Sequence, residues 1–240
     1  MSAVVVVPAY NAGRHVRGVV ERVAASGLPG LGRIVVVNDA STDDTASEVA
    51  RLPPLSCAVD RIDRRSNGGY GAAMKDGLER ALELGADLVA CVHADGQYSP
   101  EALPGLAREM RERGLDVLQG SRIASGTALS GGMPMYKYVA NAVLNRLENL
   151  TLGLSMTDYH SGYLLYGPRA LRSLPFRRLS NSFDFDLEVI ASARAHGLSV
   201  AEAPVPTHYG DETSHLNPMT YGLRVLRVMW KFRRGQYEPT

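Results

Sequence analysis

Three polar clusters in this chain join residue types that can hold anions and cations: Asn38-Asp39-Ala40-Ser41-Thr42-Asp43, Asn67-Gly68-Gly69-Tyr70-Gly71 and His93-Ala94-Asp95-Gly96-Gln97. In an extended or turning segment, residues two apart project the same way, so His93, Asp95 and Gln97 can converge on one ion. Oxygen donors suit Mg²⁺ or Mn²⁺, and an imidazole tilts the preference toward Mn²⁺. The competing reading is an ordinary strand-end turn, where Asp-Gly is common. The small residues around Gly69 allow backbone N–H groups to approach an anion at a helix start, although tight turning alone would also call for glycines. The segment lacks the Lys-Ser/Thr of a P-loop and does not follow the first strand, as a dinucleotide fingerprint should. Asp39 and Asp43 bracket a turn. They can accept hydrogen bonds from a base or ribose, or they can stabilise the turn and cap the next helix.

Further along, Asp184, Asp186 and Glu188 open a helix, where acids serve as dipole partners or, near an acceptor, as a general base. Arg122 and Lys137, taken singly, read as solvated cations.

Positioning these clusters is the task of the surrounding elements. Short β-branched runs at 3–7, 33–37, 56–61, 88–92 and 116–119 read as buried strands. Helical patterns at 15–25, 43–50, 70–84 and 100–113 lie between them, the last opening Ser99-Pro100-Glu101 with a side-chain cap and a proline at the first position. Alternation of this kind implies an α/β fold with a mostly parallel central sheet covered by helices on both faces. Ligands of such sheets bind beyond the carboxyl ends of the strands, and each polar cluster follows a strand. The second half carries a Gly/Ser-rich loop at 125–132 and a helix at about 136–150 with Asn141, Asn145 and Asn149 on one face. A polar turn at 157–161 and a strand at 163–166 come next. No repeat or linker interrupts the chain, so it reads as one body.

Composition narrows the class. With 45% hydrophobic and 21% charged residues among 240, the chain can bury a large core and is not disordered. Lys+Arg 26 against Asp+Glu 25 leaves a net charge of +1, which gives no global field for nucleic acid. Cys57 and Cys91 lie in apolar runs and read as core thiols of a reduced, intracellular protein. No apolar run approaches a membrane span, and the start of the chain does not read as a signal peptide. The expectation is a cytoplasmic protein, at most peripheral on the cytoplasmic membrane face. The segment that could attach it is 219–234, where Arg224, Arg227, Lys231 and Arg234 fall at helical spacing among apolar residues and Trp230. It reads either as a basic amphipathic interfacial helix or as a terminal helix packed on the domain with a solvated stripe.

Order and spacing together resemble glycosyltransferase family 2, of the GT-A fold, and within it the polyprenyl (dolichyl)-phosphate sugar transferases. The matching segments are Val4-Val5-Val6-Val7-Pro8-Ala9-Tyr10-Asn11, the three clusters above, Gly120-Ser121-Arg122, Asp158-Tyr159-His160-Ser161-Gly162-Tyr163 and Glu202-Ala203-Pro204-Val205. The resemblance implies a Rossmann-like GT-A domain over 1–215, with a nucleotide-sugar half at 1–119, an acceptor half at 120–215 and a C-terminal helix and tail at 216–240. It implies that Pro8, Tyr10, Asn11, Asp39, Asp43, Gly69 and Ala94 bind the nucleotide-sugar donor. Asp95, with Gln97 and His93, would hold the divalent ion, Mg²⁺ or Mn²⁺, that bridges the donor diphosphate. Arg122 and Lys137 would meet an acceptor phosphate. Two positions depart from the family pattern: His93 stands where Asp is usual, and Lys137 where phosphate-acceptor members commonly have arginine. The first removes a negative charge and should make metal binding weaker and more pH-dependent; the second loses a bidentate fork.

The reaction so implied is inversion by single displacement. A phosphate acceptor needs no strong base, whereas a hydroxyl acceptor would use Asp184 or Asp186. Transfer to a soluble glycan or metabolite, and a non-catalytic nucleotide-sugar-binding module, are the alternatives. The oligomeric state is not written in the sequence.

Overall fold

A computed structural model describes residues 2–124, 126, 135–206 and 218–239, with the side chains of 136–140 and 218–219 outside the described set. Seven strands form one sheet: β1 Ala3–Ala9, β2 Leu31–Asn38, β3 Ala58–Asp63, β4 Leu88–Cys91, β5 Val117–Ser121, β6 Leu164–Tyr166 and β7 Val200–Pro204. Their order is β3-β2-β1-β4-β6-β5-β7, with every neighbouring pair parallel except those made by β6, which runs antiparallel to β4 and β5. The eight α-helices described are α1 Val16–Ala25, α2 Thr45–Ala50, α3 Tyr70–Glu83, α4 Leu103–Glu112, α5 Met135–Leu152, α6 Pro168–Ser173, α7 Phe185–Ala195 and α8 Pro218–Arg233.

The valine run of β1 shows why the sheet sits at the centre. Alternate residues face opposite sides of a strand, and here both sides are buried. Val5 and Val7 join a core layer with Val16, Val20, Leu103 and Leu106, while Val4 and Val6 join another with Met74, Leu78, Phe185 and Val189. The helix–strand approach on the second face is close. A Cβ on Gly77 of α3 would lie 2.3 Å from Val6 Cγ1.

Several expected boundaries shift. The third strand begins at Ala58 and runs to Asp63, and the helix expected over 100–113 opens as a 3-10 turn at Pro100–Ala102 before α4. Ser99 makes no side-chain cap; its carbonyl instead accepts the Tyr163 hydroxyl at 3.0 Å. Strand β7 had been legible only as a stretch of family pattern. Cys91 is buried as expected, but Cys57 is only half-buried, and both thiols are free. The loop at 125–132 lies largely outside the described residues.

The sheet reverses direction of growth at β1, which has β2 on one side and β4 on the other. The crevice expected at such a switch point lies beyond the carboxyl ends of these strands, where Tyr10, Asp39 and His93 stand. The insertion of β6 between β4 and β5 delivers the chain preceding it to the same edge.

Two glycine substitutions test the packing. Gly18→Ala in α1, where an added Cβ meets nothing within 4 Å, should stabilise by about 0.5–1 kcal/mol. Gly77→Ala should destabilise by about 1–3 kcal/mol through overpacking against a stiff valine. Urea denaturation of both variants measures the contrast.

Candidate active site

The loops after β1 and β2 clasp one another. Asn11, at a positive φ of 49°, donates its N–H to Ser41 Oγ at 3.0 Å and accepts the Thr42 N–H on its side-chain oxygen at 2.9 Å. Asp43 accepts the N–H groups of Gly13 at 2.9 Å and Thr45 at 3.0 Å. Partial burial works against its charge, but the hydrogen bonds from Thr45 and Gly13 outweigh it and hold the carboxyl below its ordinary value. Asn11 and Asp43 thus bind the two loops together. Pro8 sits inside β1 opposite Val37, and Tyr10, 51% exposed, presents its ring at the lip of the crevice.

Asp39, at the end of β2, is 3% exposed. Its two carboxylate oxygens accept the N–H groups of Gly68 and Gly69, each at 2.9 Å, and Arg64 stands 3.4 Å away. Two amides of the glycine loop are therefore taken by protein. The glycines serve close approach as well: Gly69 has φ 91°, and a Cβ there would lie 2.5 Å from the Asn181 carbonyl oxygen. At Gly71 a Cβ would meet the Ser180 carbonyl oxygen at 2.4 Å. Lys75, one turn into α3, fastens the same segment through hydrogen bonds to the Leu179 carbonyl and, at 2.6 Å, to Asn181 Oδ1.

Beyond β4, Asp95 Oδ1 accepts the Gln97 N–H at 3.0 Å, and Oδ2 faces His93 Nδ1 at 3.9 Å. Ala94 between them is buried. The His93 ring lies 5.0 Å from that of Tyr70 and 5.7 Å from that of Tyr98. Burial holds its pKa below the ordinary value; Asp95 opposes this and Arg122 adds to it. The imidazole is therefore neutral at pH 7 and keeps a lone pair for a ligand. Its Nε2 is buried without a hydrogen-bond partner, against Gly162, where a Cβ would be only 2.1 Å away. Among the described residues no cluster of three or more His, Cys, Asp or Glu side chains could hold a metal alone. Two or three donors from His93, Asp95 and Gln97 suit an ion whose remaining positions are filled by diphosphate oxygens.

Arg122 is not a solvated cation. Its side chain is 14% exposed; Nε lies 3.2 Å from Asp158, which is fully buried, and its guanidinium also donates to the His160 carbonyl at 3.2 Å. Lys137 falls in α5, with its side chain outside the described residues. Asp184, Asp186 and Glu188 do open α7 but are all buried, so they are not surface dipole partners. Asp184 accepts the Ser180 hydroxyl at 2.8 Å and pairs with Arg224 at 3.1 Å. Asp186 Oδ1 has no hydrogen-bond partner among the described residues, and burial pushes this carboxyl up to about 7, partly offset by a hydrogen bond from Tyr70.

The glycosyl transferase family 2 model matches residues 4–174. The chain belongs to that family. Among its relatives is a UDP-N-acetylglucosamine–dolichyl-phosphate N-acetylglucosaminyltransferase of Methanococcus voltae, 27% identical over 216 residues that cover 85% of this chain and 84% of the relative. An undecaprenyl-phosphate mannosyltransferase of Micrococcus luteus is 28% identical over 173 residues, 72% of this chain and 70% of its own. Among solved structures, glucosyl-3-phosphoglycerate synthase from Mycobacterium tuberculosis, in complex with Mn²⁺, UDP and glucosyl-3-phosphoglycerate, superposes with a TM-score of 0.68 at 16% identity, covering 100% of this chain and 81% of that one. This last likeness establishes the GT-A-type fold.

The second half of this glycosyltransferase contains a buried polar group that sequence reasoning missed. Asn145 and Asn149 of α5 hold the carbonyls of Thr157 and Met156, and Glu202 of β7 receives the N–H groups of Thr157 and Asp158 at 2.8 and 3.2 Å. Beneath them Glu148, fully buried, lies 3.6 Å from His160 Nε2, while His160 Nδ1 is 3.0 Å from the Tyr221 hydroxyl of α8. Burial, reinforced by Asp158, raises Glu148 to about 8. Burial also lowers His160 to about 4, against the pull of Asp158. Both are neutral at pH 7. The even spacing of Asn141, Asn145 and Asn149 was the one visible signal, since it marks the face on which Glu148 also lies.

The two groups pull stability in opposite directions. His160, depressed when folded, contributes stability above its unfolded pKa, and that contribution is lost as pH falls toward 4. Glu148, raised when folded, contributes stability below its unfolded pKa, and that contribution is lost as pH rises toward 8. From about pH 6.5 to 8 the Glu148 contribution is unopposed and should cost about 1–2 kcal/mol, a few degrees in Tm. Thermal melts should show that decline in the parent and a flatter profile in Glu148→Gln.

Proposed function

We propose that this glycosyltransferase transfers a sugar from a nucleoside-diphosphate donor to a polyprenyl phosphate, with inversion, at the cytoplasmic face of a membrane. The observation that carries the donor side is the facing of Asp95 and a neutral His93 at the end of β4, 3.9 Å apart, beside the crevice where β1, β2 and β4 end. Asp95, His93 and Gln97 would hold a divalent ion, Mg²⁺ or Mn²⁺, which supplies charge neutralisation for the departing nucleoside diphosphate. His93 would offer Nδ1, the nitrogen that faces Asp95. Tyr10 offers a face to the base. Asp39 fixes the glycine loop and retains acceptor capacity for the base or ribose, since each carboxylate oxygen takes more than one hydrogen bond. The Mn²⁺ and UDP of the structural neighbour and the lipid-phosphate acceptors in the names of two relatives support this reading. Arg122, buttressed by Asp158, is the cation we assign to the acceptor phosphate, together with Lys137. A phosphate oxygen is already an anion and asks for no base.

Asp186 favours a second reading. A carboxyl near pH 7 suits a general base, and a base is needed when the acceptor is a hydroxyl. Asp184, engaged by Ser180 and Arg224, suits that role less. Asp186→Asn separates the two. With a phosphate acceptor the variant should turn over within a few-fold of the parent, whereas a hydroxyl acceptor should cost about 10²–10⁴-fold.

Asp95→Ala should lower transfer by about a hundredfold or more, and chelator should do the same to the parent. Release of nucleoside diphosphate from a nucleotide-sugar panel with added Mn²⁺ measures both. A parent protein that releases none would be a binding module and not a transferase.

A further inference from the structure

The terminal helix carries two apolar stripes. Val225, Val228 and Met229 are buried and seat α8 on the body of the protein. Leu223, Leu226 and Trp230 are 68%, 48% and 53% exposed, and their spacing places them along one outward face with Arg227. Between this helix and the segment 178–184 lies a cavity of about 470 Å³. Arg178, Arg224, Arg227 and Lys231 line it, and Asp184 is the one carboxylate among its described lining residues. Arg224 is held by Asp184 at 3.1 Å, and Lys231 by the buried Glu188 at 2.6 Å. Arg178 and Arg227 make no ion pair with any described residue.

We infer that this cavity binds the phosphate head of a lipid, the exposed leucines and Trp230 receiving the first part of its hydrocarbon chain. This rests on the transferase reading above only for what the lipid is used for. Charge is the first argument. A phosphate monoester carries close to two negative charges, and the cavity offers four cations, two of them without an ion pair among the described residues. Guanidinium groups match phosphate with paired hydrogen bonds. Chemistry at the rim is the second. A soluble sugar phosphate or nucleotide would gain nothing from Leu223, Leu226 and Trp230, whereas an amphiphile satisfies both halves of the surface. Location is the third. The segment that walls the cavity also walls the donor crevice: Asn181 and Ser180 meet Gly69 and Gly71, and Phe183 stacks on Tyr70 with ring centroids 6.1 Å apart. A lipid phosphate held here sits one chain segment from the donor site. Its source is either the acceptor, met here before its phosphate passes to Arg122 and Lys137, or the bulk anionic lipid of the membrane.

Trp230 is the single tryptophan of the chain, so its emission reports the rim directly. The full-length protein is titrated with a water-soluble short-chain prenyl monophosphate, the matching prenyl alcohol, inorganic phosphate, and vesicles of phosphatidylglycerol or phosphatidylcholine. The prenyl monophosphate should bind at least about tenfold more tightly than the alcohol or inorganic phosphate, and phosphatidylglycerol vesicles should outcompete phosphatidylcholine. The double variant Arg178→Gln/Arg227→Gln should lose about tenfold to a hundredfold in prenyl monophosphate affinity, with its circular dichroism and Tm like those of the parent. Tighter binding of the prenyl monophosphate than of phosphatidylglycerol assigns the acceptor, and the reverse order assigns the membrane; each supports the site. Equal affinity of parent and double variant, or alcohol binding as tight as monophosphate, overturns it. Nucleoside diphosphate release by the parent is a separate readout: its absence would remove the transferase reading and leave the lipid-phosphate site standing.

Discussion

The hydrogen bonds from Gly68 and Gly69 to Asp39 are the constraint on which the crevice depends. They are made at the end of a buried strand, to a carboxylate 3% exposed, where water competes poorly and such bonds are strong. Fixing those two amides fixes the left-handed turn at Gly69 and the direction in which α3 leaves. It also leaves a surface without Cβ atoms for the 180–182 backbone to cross. That crossing brings the segment 180–188 against the start of α3. One carboxylate at the end of β2 therefore decides where the acids of α7 stand.

Electrostatics in the crevice follow from burial. The diphosphate donor and phosphate acceptor proposed above would both bring negative charge, and bare carboxylates would repel them. The protein keeps negative charge low at three positions in or behind the crevice. His93 occupies a position where the family usually has an acid, Asp186 is raised to about 7 by burial, and Glu148 to about 8. Asp158, also fully buried, is compensated by Arg122. Asp95, 37% exposed at its side chain, is left as the carboxylate able to face a cation in the crevice. A single such carboxylate would concentrate any attraction for a dication on one position.

Much of the fold was legible because β1, β2 and β4 are continuous apolar runs, and a run buried on both faces needs no subtle pattern to be recognised. The polar clusters after them were legible for the same reason: they are the first residues past the core. Strand β6 was visible as an apolar run, but its antiparallel insertion between β4 and β5 was not, since direction is set by where α5 returns the chain. Strand β7 reads Val-Ala-Glu-Ala-Pro; its glutamate is spent on Thr157 and Asp158, a tertiary partnership that no local pattern encodes. Glu148, His160 and Lys75 were missed alike. Each is a polar side chain in the interior, and its meaning lies in a partner far away in sequence. Arg122 looked solvated for the same reason, because Asp158 is 36 residues away.

The C-terminal helix joins these themes. Its basic residues are of two kinds. Arg224 and Lys231 are drawn inward by Asp184 and Glu188, and Glu188 also accepts the Tyr237 hydroxyl at 2.6 Å and the Ser180 N–H. A buried carboxylate with three donors from three segments is costly to disrupt, because removing one partner leaves charge unsatisfied in the interior. The helix is thereby held in a fixed orientation. That fixed orientation gives the outward residues a defined geometry: Arg227, Leu223, Leu226 and Trp230 must all point away from the body, whatever they meet. Arg234, stacked over Trp230 at 5.3 Å, supports the indole at the edge of that face. The same acids that tie α7 to α8 thus set the angle at which the helix presents its basic and apolar surface outward.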